Sequence, residues 1–382
     1  MFKQSALAIA VALALTACGS SDSGDSSGVT TASGQFKDSN TTGISYVSGG
    51  QSGVTDTDGG FTYEVGQTTT FSIGGVTLGT TDGKSVITPI DLISGGTSSS
   101  AEVQNIVRFL MMLDDNGNPS DGINISSAVQ NIASSWSPVS FSTTDLPTDL
   151  IDIISDAVSA DNGIHALPSA SAAQSHLEST LLCSYSGAYK GTFSGDDSGT
   201  FGFLVDAING GVSGIAYSVP DDEYITLSGT EAISYDQNST FVSGNTNTGS
   251  TFNGQFSSVN DVSGSWQNST EPSSGSFSGE RVGGVLSATH RFTGTISGDS
   301  IGLVSLDVDA SNNITGVTYN VPDDTMSTLS GSVSGTTLTA VTSAGTTVTG
   351  TLNTSTGTLS GTWNHPTEGE SGIFSGSGCK LN

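Results

Sequence analysis

A long internal duplication narrows the folds open to this chain more than any other feature. Tyr189-Lys-Gly-Thr-Phe-Ser-Gly-Asp196 returns as Phe292-Thr-Gly-Thr-Ile-Ser-Gly-Asp299. Val212-Ser-Gly-Ile-Ala-Tyr-Ser-Val-Pro-Asp-Asp222 returns as Ile314-Thr-Gly-Val-Thr-Tyr-Asn-Val-Pro-Asp-Asp324. Val262-Ser-Gly-Ser-Trp266 matches Leu359-Ser-Gly-Thr-Trp363, and Ser274-Gly-Ser-Phe-Ser-Gly279 matches Ser371-Gly-Ile-Phe-Ser-Gly376. A period of about 100 residues is too long for a solenoid unit and fits two copies of one small domain. Each copy holds about eight strand-like runs split by Gly, Asp, Asn and Ser turns. The runs repeat an apolar-x-Gly-x-apolar pattern, as in Tyr189-x-Gly191-x-Phe193 and Phe252-x-Gly254-x-Phe256. Residues two apart share a face, so each glycine sits between large side chains on one face. Small residues between large ones suit the tapered interior of a narrow barrel. The expectation is two tandem antiparallel eight-stranded meander barrels over 183–283 and 284–382. Two sandwiches or one merged barrel are the alternatives.

Composition agrees with a β-rich chain. It holds 51 glycines in 382 residues and only 12% charged residues, a mixture suited to short strands and tight turns. Asp and Glu number 36 against 8 Lys and Arg, for a net charge of −28. Such a chain repels phosphate backbones, so nucleic acid is not an expected partner. It also repels anionic head groups, so attachment to a membrane must come from acyl chains.

No charge falls between Lys3 and Asp22, and the apolar stretch Ala6 to Ala17 is shorter than the roughly 20 residues of a spanning helix. That length suits a secretory signal over 1–17. Its end, Leu15-Thr16-Ala17-Cys18, resembles the lipobox of bacterial lipoproteins. The resemblance implies cleavage before Cys18, a diacylglyceryl thioether on its sulfur and an acylated amine. Each buried lipid methylene contributes about 0.8 kcal/mol, and two or more chains hold a protein on a bilayer. Gly19 and Ser20 follow, with no aspartate. By resemblance to enterobacterial sorting this implies the outer membrane, on its periplasmic or its cell-surface face. Residues 18–34 are Ser, Gly, Thr and Asp in the main and read as a flexible tether. With Cys18 used for lipid, Cys183 and Cys379 form an even remainder in an oxidising compartment, which reads as a disulfide. Two buried thiols are the competing reading.

Two further zones precede the duplication. Residues 35–97 alternate in period two, with Phe61 and Tyr63, then Phe71 and Ile73, broken by glycine turns. The hairpin Thr55-Asp56 to Gly59-Gly60-Phe61 resembles that of carboxypeptidase-regulatory or transthyretin-like β-sandwiches. Residues 98–182 are helical in pattern. Ser99 and Glu102 read as a capping box, ahead of Val103, Ile106, Val107, Leu110 and Leu113 at helical spacing. Pro147 opens a second helix stopped at Asn162-Gly163, and a third runs from Ala172 to Leu182. The block from Phe71 to Gly79 through Leu113 to Ile123 resembles the N-terminal region of uncharacterised proteobacterial surface lipoproteins, a family that brings no settled activity. The duplicated region is broadly similar to avidin or to the lipoprotein barrels of transferrin-binding proteins. The fold class expected is therefore mainly β with a helical middle segment: an N-terminal sandwich, a short helical region and the tandem barrels.

Chemistry-bearing constellations are few. Asp114, Asn116, Asn118, Ser120 and Asp121 alternate along a loop as oxygen ligands of calcium would. Pro119 stands where an EF-hand requires glycine, and Ile125 where it requires glutamate, so a polar turn competes with the Ca2+ reading. Asp56-x-Asp58-Gly59 reads as a hairpin turn. Asp221-Asp222 and Asp323-Asp324 occupy equivalent positions and read as Pro-Asp turns, because adjacent strand carboxylates point to opposite faces. Trp266 and Trp363 are also equivalent. A repeated tryptophan reads as a core plug, and stacking on a sugar or small ligand is the functional alternative. The Gly-x-Ser-x-Gly at 24–28 lies in the tether, away from any strand-to-helix turn. His165, His176, His290 and His365 are scattered. These readings converge on a membrane-anchored envelope lipoprotein that is a structural or binding module and not an enzyme. An adhesin or receptor for glycan, extracellular protein, small ligand or metal ion is the first alternative, and an envelope hydrolase the last.

Overall fold

The glycine-spaced strands curl into barrels because aromatic rings lie across the gaps that the glycines leave. In a computed structural model describing residues 29–142, 146–229, 233–236, 239–284 and 288–381, the second copy is a closed eight-stranded antiparallel barrel. Its first strand, His290–Gly298, pairs with its last, Glu370–Lys380. In the first copy, Gly187–Gly195 pairs with Ser273–Val282, and the ring closes at Leu227↔Thr246 and Ser228↔Asn245. A short extra strand, Ile233–Asp236, folds back on Ser239–Thr246 at that seam. The Phe201 ring covers both Gly191 and Gly279, where an added Cβ would lie 2.7 and 2.8 Å from its tip. The signal 1–17, Cys18, the Gly-x-Ser-x-Gly at 24–28 and most of the tether lie outside the described residues.

The two barrels share a wall. Strands Gly199–Val205 and Gly302–Val308 bury both faces over most of their length, one inward and one against the other barrel. Ala188, Leu204 and Val282 of the first barrel meet Leu303, Val317, Tyr319 and Val321 of the second in one apolar cluster. Thr200 Oγ1 donates to Val321 O at 2.9 Å at one end of this wall, and Ala207 N donates to Ser377 Oγ at 3.1 Å at the other. The barrels therefore stand side by side with corresponding ends aligned.

Ahead of them, two small sheets face each other. One has Thr31–Phe36 between Gly60–Glu64 and Val86–Ile87; the other runs in the order Gln51–Val54, Ser45–Ser48, Thr68–Ile73, Val76–Asp82. Phe36 and Phe61 from the first meet Phe71 from the second at ring distances of 4.9 and 5.2 Å. The first strand begins at Thr31, inside the stretch read as tether. One core runs from Phe36 to Ala157, so the sheets and the first four helices pack as a unit.

Helix Ala101–Leu113 buries Ile106, Leu110 and Leu113 in that core. Its Val103 and Val107 pack against Ala173, Leu177 and Leu181 of helix Ala170–Tyr185. The capping box at Ser99 and Glu102 does not form. Ser100 is the N-cap, without a side-chain cap bond, and its hydroxyl instead accepts from Thr97 N at 2.9 Å. Helix Ile151–Asp161 ends at Asn162, whose left-handed φ of 62° closes the last turn. Helix Ser127–Ala133 was not expected from the sequence pattern. Cys183, near the end of helix Ala170–Tyr185, is disulfide-bonded to Cys379 across 196 residues. No helix among the described residues is long and apolar enough to cross a membrane.

Candidate functional site

Each barrel has one end against the N-terminal unit, where Arg281, Arg291 and Lys380 lie near Lys37, Ser120 and His176, and one end facing away. Around the first barrel's outer end lies an open cavity of about 580 Å³. Its wall is aromatic: Phe193, Phe201, Phe203, Phe252, Trp266 and Phe277. Phe201 and Phe203 stack at 5.8 Å, and Phe277 stands edge-on to Phe201 at 5.7 Å and to Phe252 at 6.4 Å. Such arrangements use the ring quadrupole and hold the rings in place. Trp266 is clamped on the wall by an indole N–H donated to Ser194 O at 3.3 Å. Trp363 repeats the bond to Ser297 O at 3.2 Å. Both indoles lie flat against a glycine of the next strand: a Cβ on Gly275 or Gly372 would come within 2.5 Å of the indole nitrogen.

The rim is acidic. Asp196, Asp197, Asp221, Glu223 and Glu271 line the mouth, and among the described residues no Lys or Arg does. Asp196 is fixed by a bond from Ser274 N at 2.9 Å, and Asp299 in the second barrel by the same bond from Ser371 N. The paired aspartates divide their work. Asp222 and Asp324 adopt left-handed φ values of 55° and 47° and accept from Tyr217 and Tyr319 at 2.7 and 3.1 Å. Their neighbours Asp221 and Asp323 are left at the two mouths.

The inner end of the first barrel is plugged. Arg281 lies over the Tyr189 ring at 5.3 Å and donates to Val259 O, Ser186 O, Ser184 O and the Tyr189 hydroxyl at 2.6–3.0 Å. Two of these carbonyls end helix Ala170–Tyr185, the negative pole of its dipole. Burial pulls the guanidinium below its ordinary value, although Tyr189 favours its charge. The second barrel's mouth is smaller, about 390 Å³, and more hydroxylated, with Thr318, Ser327 and Thr346 beside Trp363. His365 there bonds to Ala344 O at 2.9 Å.

The loop read as a calcium site satisfies itself. Asn118 donates to Asp121 at 2.9 Å, Asn116 to Asp121 at 3.3 Å, and Ser120 to Asn118 at 2.6 Å. Asp114 is turned away and buried. One oxygen accepts from Asn124 N at 2.9 Å, the other has no partner, and burial pushes the carboxyl up. Among the described residues no three His, Cys, Asp or Glu side chains are grouped to hold a metal. His165 bonds to Met112 O and Asp161 at 2.9 and 2.7 Å, a buried structural link. At His176, burial opposes charge but the Asp38 carboxylate 3.3 Å away outweighs it and raises the imidazole above its ordinary value.

Sequence reasoning singled out both tryptophans and Asp221, but not the phenylalanines or the other rim carboxylates around them. The available signal was the repeated motif: Phe193, Phe252 and Phe277 all flank its glycines. No family model and no curated protein matches the chain. Among solved structures, kievitone hydratase from Nectria haematococca aligns over 51% of this chain and 89% of its own, at 8% identity and a TM-score of 0.20. A DUF3598-family protein of unknown function from Nostoc punctiforme aligns over 52% and 98%, at 7% identity and a TM-score of 0.19. Neither likeness is close enough to inform function.

Proposed function

We propose that this is an outer-membrane lipoprotein, anchored through Cys18, that works as a binding module and carries no catalytic role. Its first barrel takes a small, mainly apolar ligand bearing a positive charge. The supporting observation is the 580 Å³ cavity with an aromatic wall and a rim of five carboxylates. Aromatic faces and edges hold the apolar part, while the carboxylates favour a cationic end and reject an anionic one. Lipidation and secretion rest on the sequence Leu15 to Cys18.

Two experiments test these readings separately. Decyltrimethylammonium below its micellar concentration should quench tryptophan fluorescence saturably, through Trp266, and decyl sulfate should not. Equal responses to the two amphiphiles, or a response unchanged in Trp266→Phe, would refute the site. Cys18→Ala should move the protein from the membrane fraction to the soluble periplasm. Retention of that variant in membranes would refute the anchor.

A further inference from the structure

Where the inner barrel ends meet the N-terminal unit lies a third cavity, of about 550 Å³. Its lining is unlike the rest of the molecule. Lys37, Arg281, Arg291 and Lys380 all border it, half of the 8 Lys and Arg in the whole chain, and His176 joins them. Among the described residues no Asp or Glu is part of its lining. In a chain of net charge −28, half of the Lys and Arg are therefore gathered at one place, with the carboxylates of Asp38 and Asp307 set behind the lining, against His176 and Arg291.

The contacts these cations make are mostly to neutral oxygens. Lys37 Nζ donates to Leu381 O at 3.0 Å and to the Asn40 side chain. Arg281 meets three carbonyls and a hydroxyl. Lys380 donates to Ser120 O at 3.2 Å. Arg291 is held by Asp307 at 2.9 Å, from outside the cavity. Carbonyls solvate a cation and leave its charge in place, and among the described residues no carboxylate lies within ion-pair range of Lys37 or Arg281. Burial pushes the Lys37 ammonium down to about 8, the response of a cation short of a counter-charge.

From this placement we infer that the junction cavity binds a compact oxyanion of the phosphate class, with Lys37 and Lys380 as its direct contacts and Arg281 and Arg291 supplying field from the wall. The cavity exceeds a lone phosphate several-fold in volume, which leaves room for an organic remainder. The site is separate from the barrel mouths, whose rims repel anions, so its success or failure is independent of the ligand proposed there. It is walled in part by Cys183 and Cys379, so the disulfide holds its two sides together.

The test is calorimetric titration of the full-length chain with inorganic phosphate and, separately, glycerol 3-phosphate, at constant ionic strength set with chloride. One saturable site is expected. Tighter binding of the ester assigns the cavity to an organic phosphate, and equal binding assigns it to the free ion. Lys37→Met with Lys380→Gln should weaken binding by about tenfold or more, since each charge-assisted bond is among the strong ones. Lys380→Gln alone, at an exposed side chain that does not threaten folding, should weaken it measurably. Lys190→Gln, at a cation outside the cavity, should leave it unchanged. No saturable heat with either anion, or equal affinity in Lys380→Gln and the unaltered chain, would overturn the assignment.

Discussion

Arg281→Met removes the plug from the first barrel's inner end at nearly constant side-chain volume. It withdraws donors from Ser184 O, Ser186 O, Val259 O and the Tyr189 hydroxyl, and a cation from the Tyr189 face. Leaving a buried acceptor without its donor costs about 1–3 kcal/mol, and Arg281→Met withdraws the donor from four neutral oxygens. Arg281 borders a cavity, where water reaches part of what it abandons, so a total of about 3 kcal/mol is expected. For a domain of about 100 residues, each kcal/mol shifts Tm by about 4–8 °C, so a fall of roughly 12–24 °C is expected. Differential scanning calorimetry measures it directly. Arg281→Lys should recover little, because an ammonium cannot span carbonyls that a planar guanidinium reaches together. A fall below about 4 °C, or full recovery with lysine, would show that the plug is not what holds this end.

Other consequences are as concrete. Gly372→Ala should destabilise the second barrel by about 1–3 kcal/mol, because the new methyl meets Ser297 O at 2.0 Å, a backbone atom that cannot step aside; urea denaturation would show it, and a neutral effect would deny the close approach. Lys37, at about 8 when folded against 10.5 ordinarily, loses its proton earlier in the native state than in the unfolded one. Its burial penalty is therefore largest below pH 8 and fades toward pH 10.5, so stability relative to Lys37→Met should rise across that window by at most about 3 kcal/mol; a difference that does not vary with pH would contradict it. Cys183→Ser should abolish the electrophoretic shift that reduction causes in the unaltered chain, and persistence of the shift would place the bridge elsewhere.

The barrels were legible in the sequence because the duplication and the apolar-x-Gly-x-apolar period are both local patterns. The shared wall was visible only in outline. Phe201-Gly-Phe-Leu-Val205 and Leu303-Val-Ser-Leu306 break alternation with near-continuous apolar runs, which is what burial on both faces requires. The capping box failed because the helix begins one residue later than expected: Ser100, and not Ser99, is the N-cap, a choice between neighbouring serines that spacing does not resolve. The cation cavity was not legible at all. Lys37, Arg281, Arg291 and Lys380 are spread over more than 340 positions and meet only through the fold. Of the rim acids only Asp221 stood out, through the repeated Pro-Asp-Asp; the others were hidden because in so acidic a chain one carboxylate looks like another.

The wall joining the barrels fixes the direction in which they face. Thr200 and Val321 tie it beside the two mouths, and Ala207 and Ser377 tie it at the far ends, so both openings look the same way at a set spacing. A molecule long enough to reach from one opening to the other would make its second attachment intramolecularly. Its grip would then grow with the product of two weak holds, as avidity does, and would depend on its length more than on either hold alone.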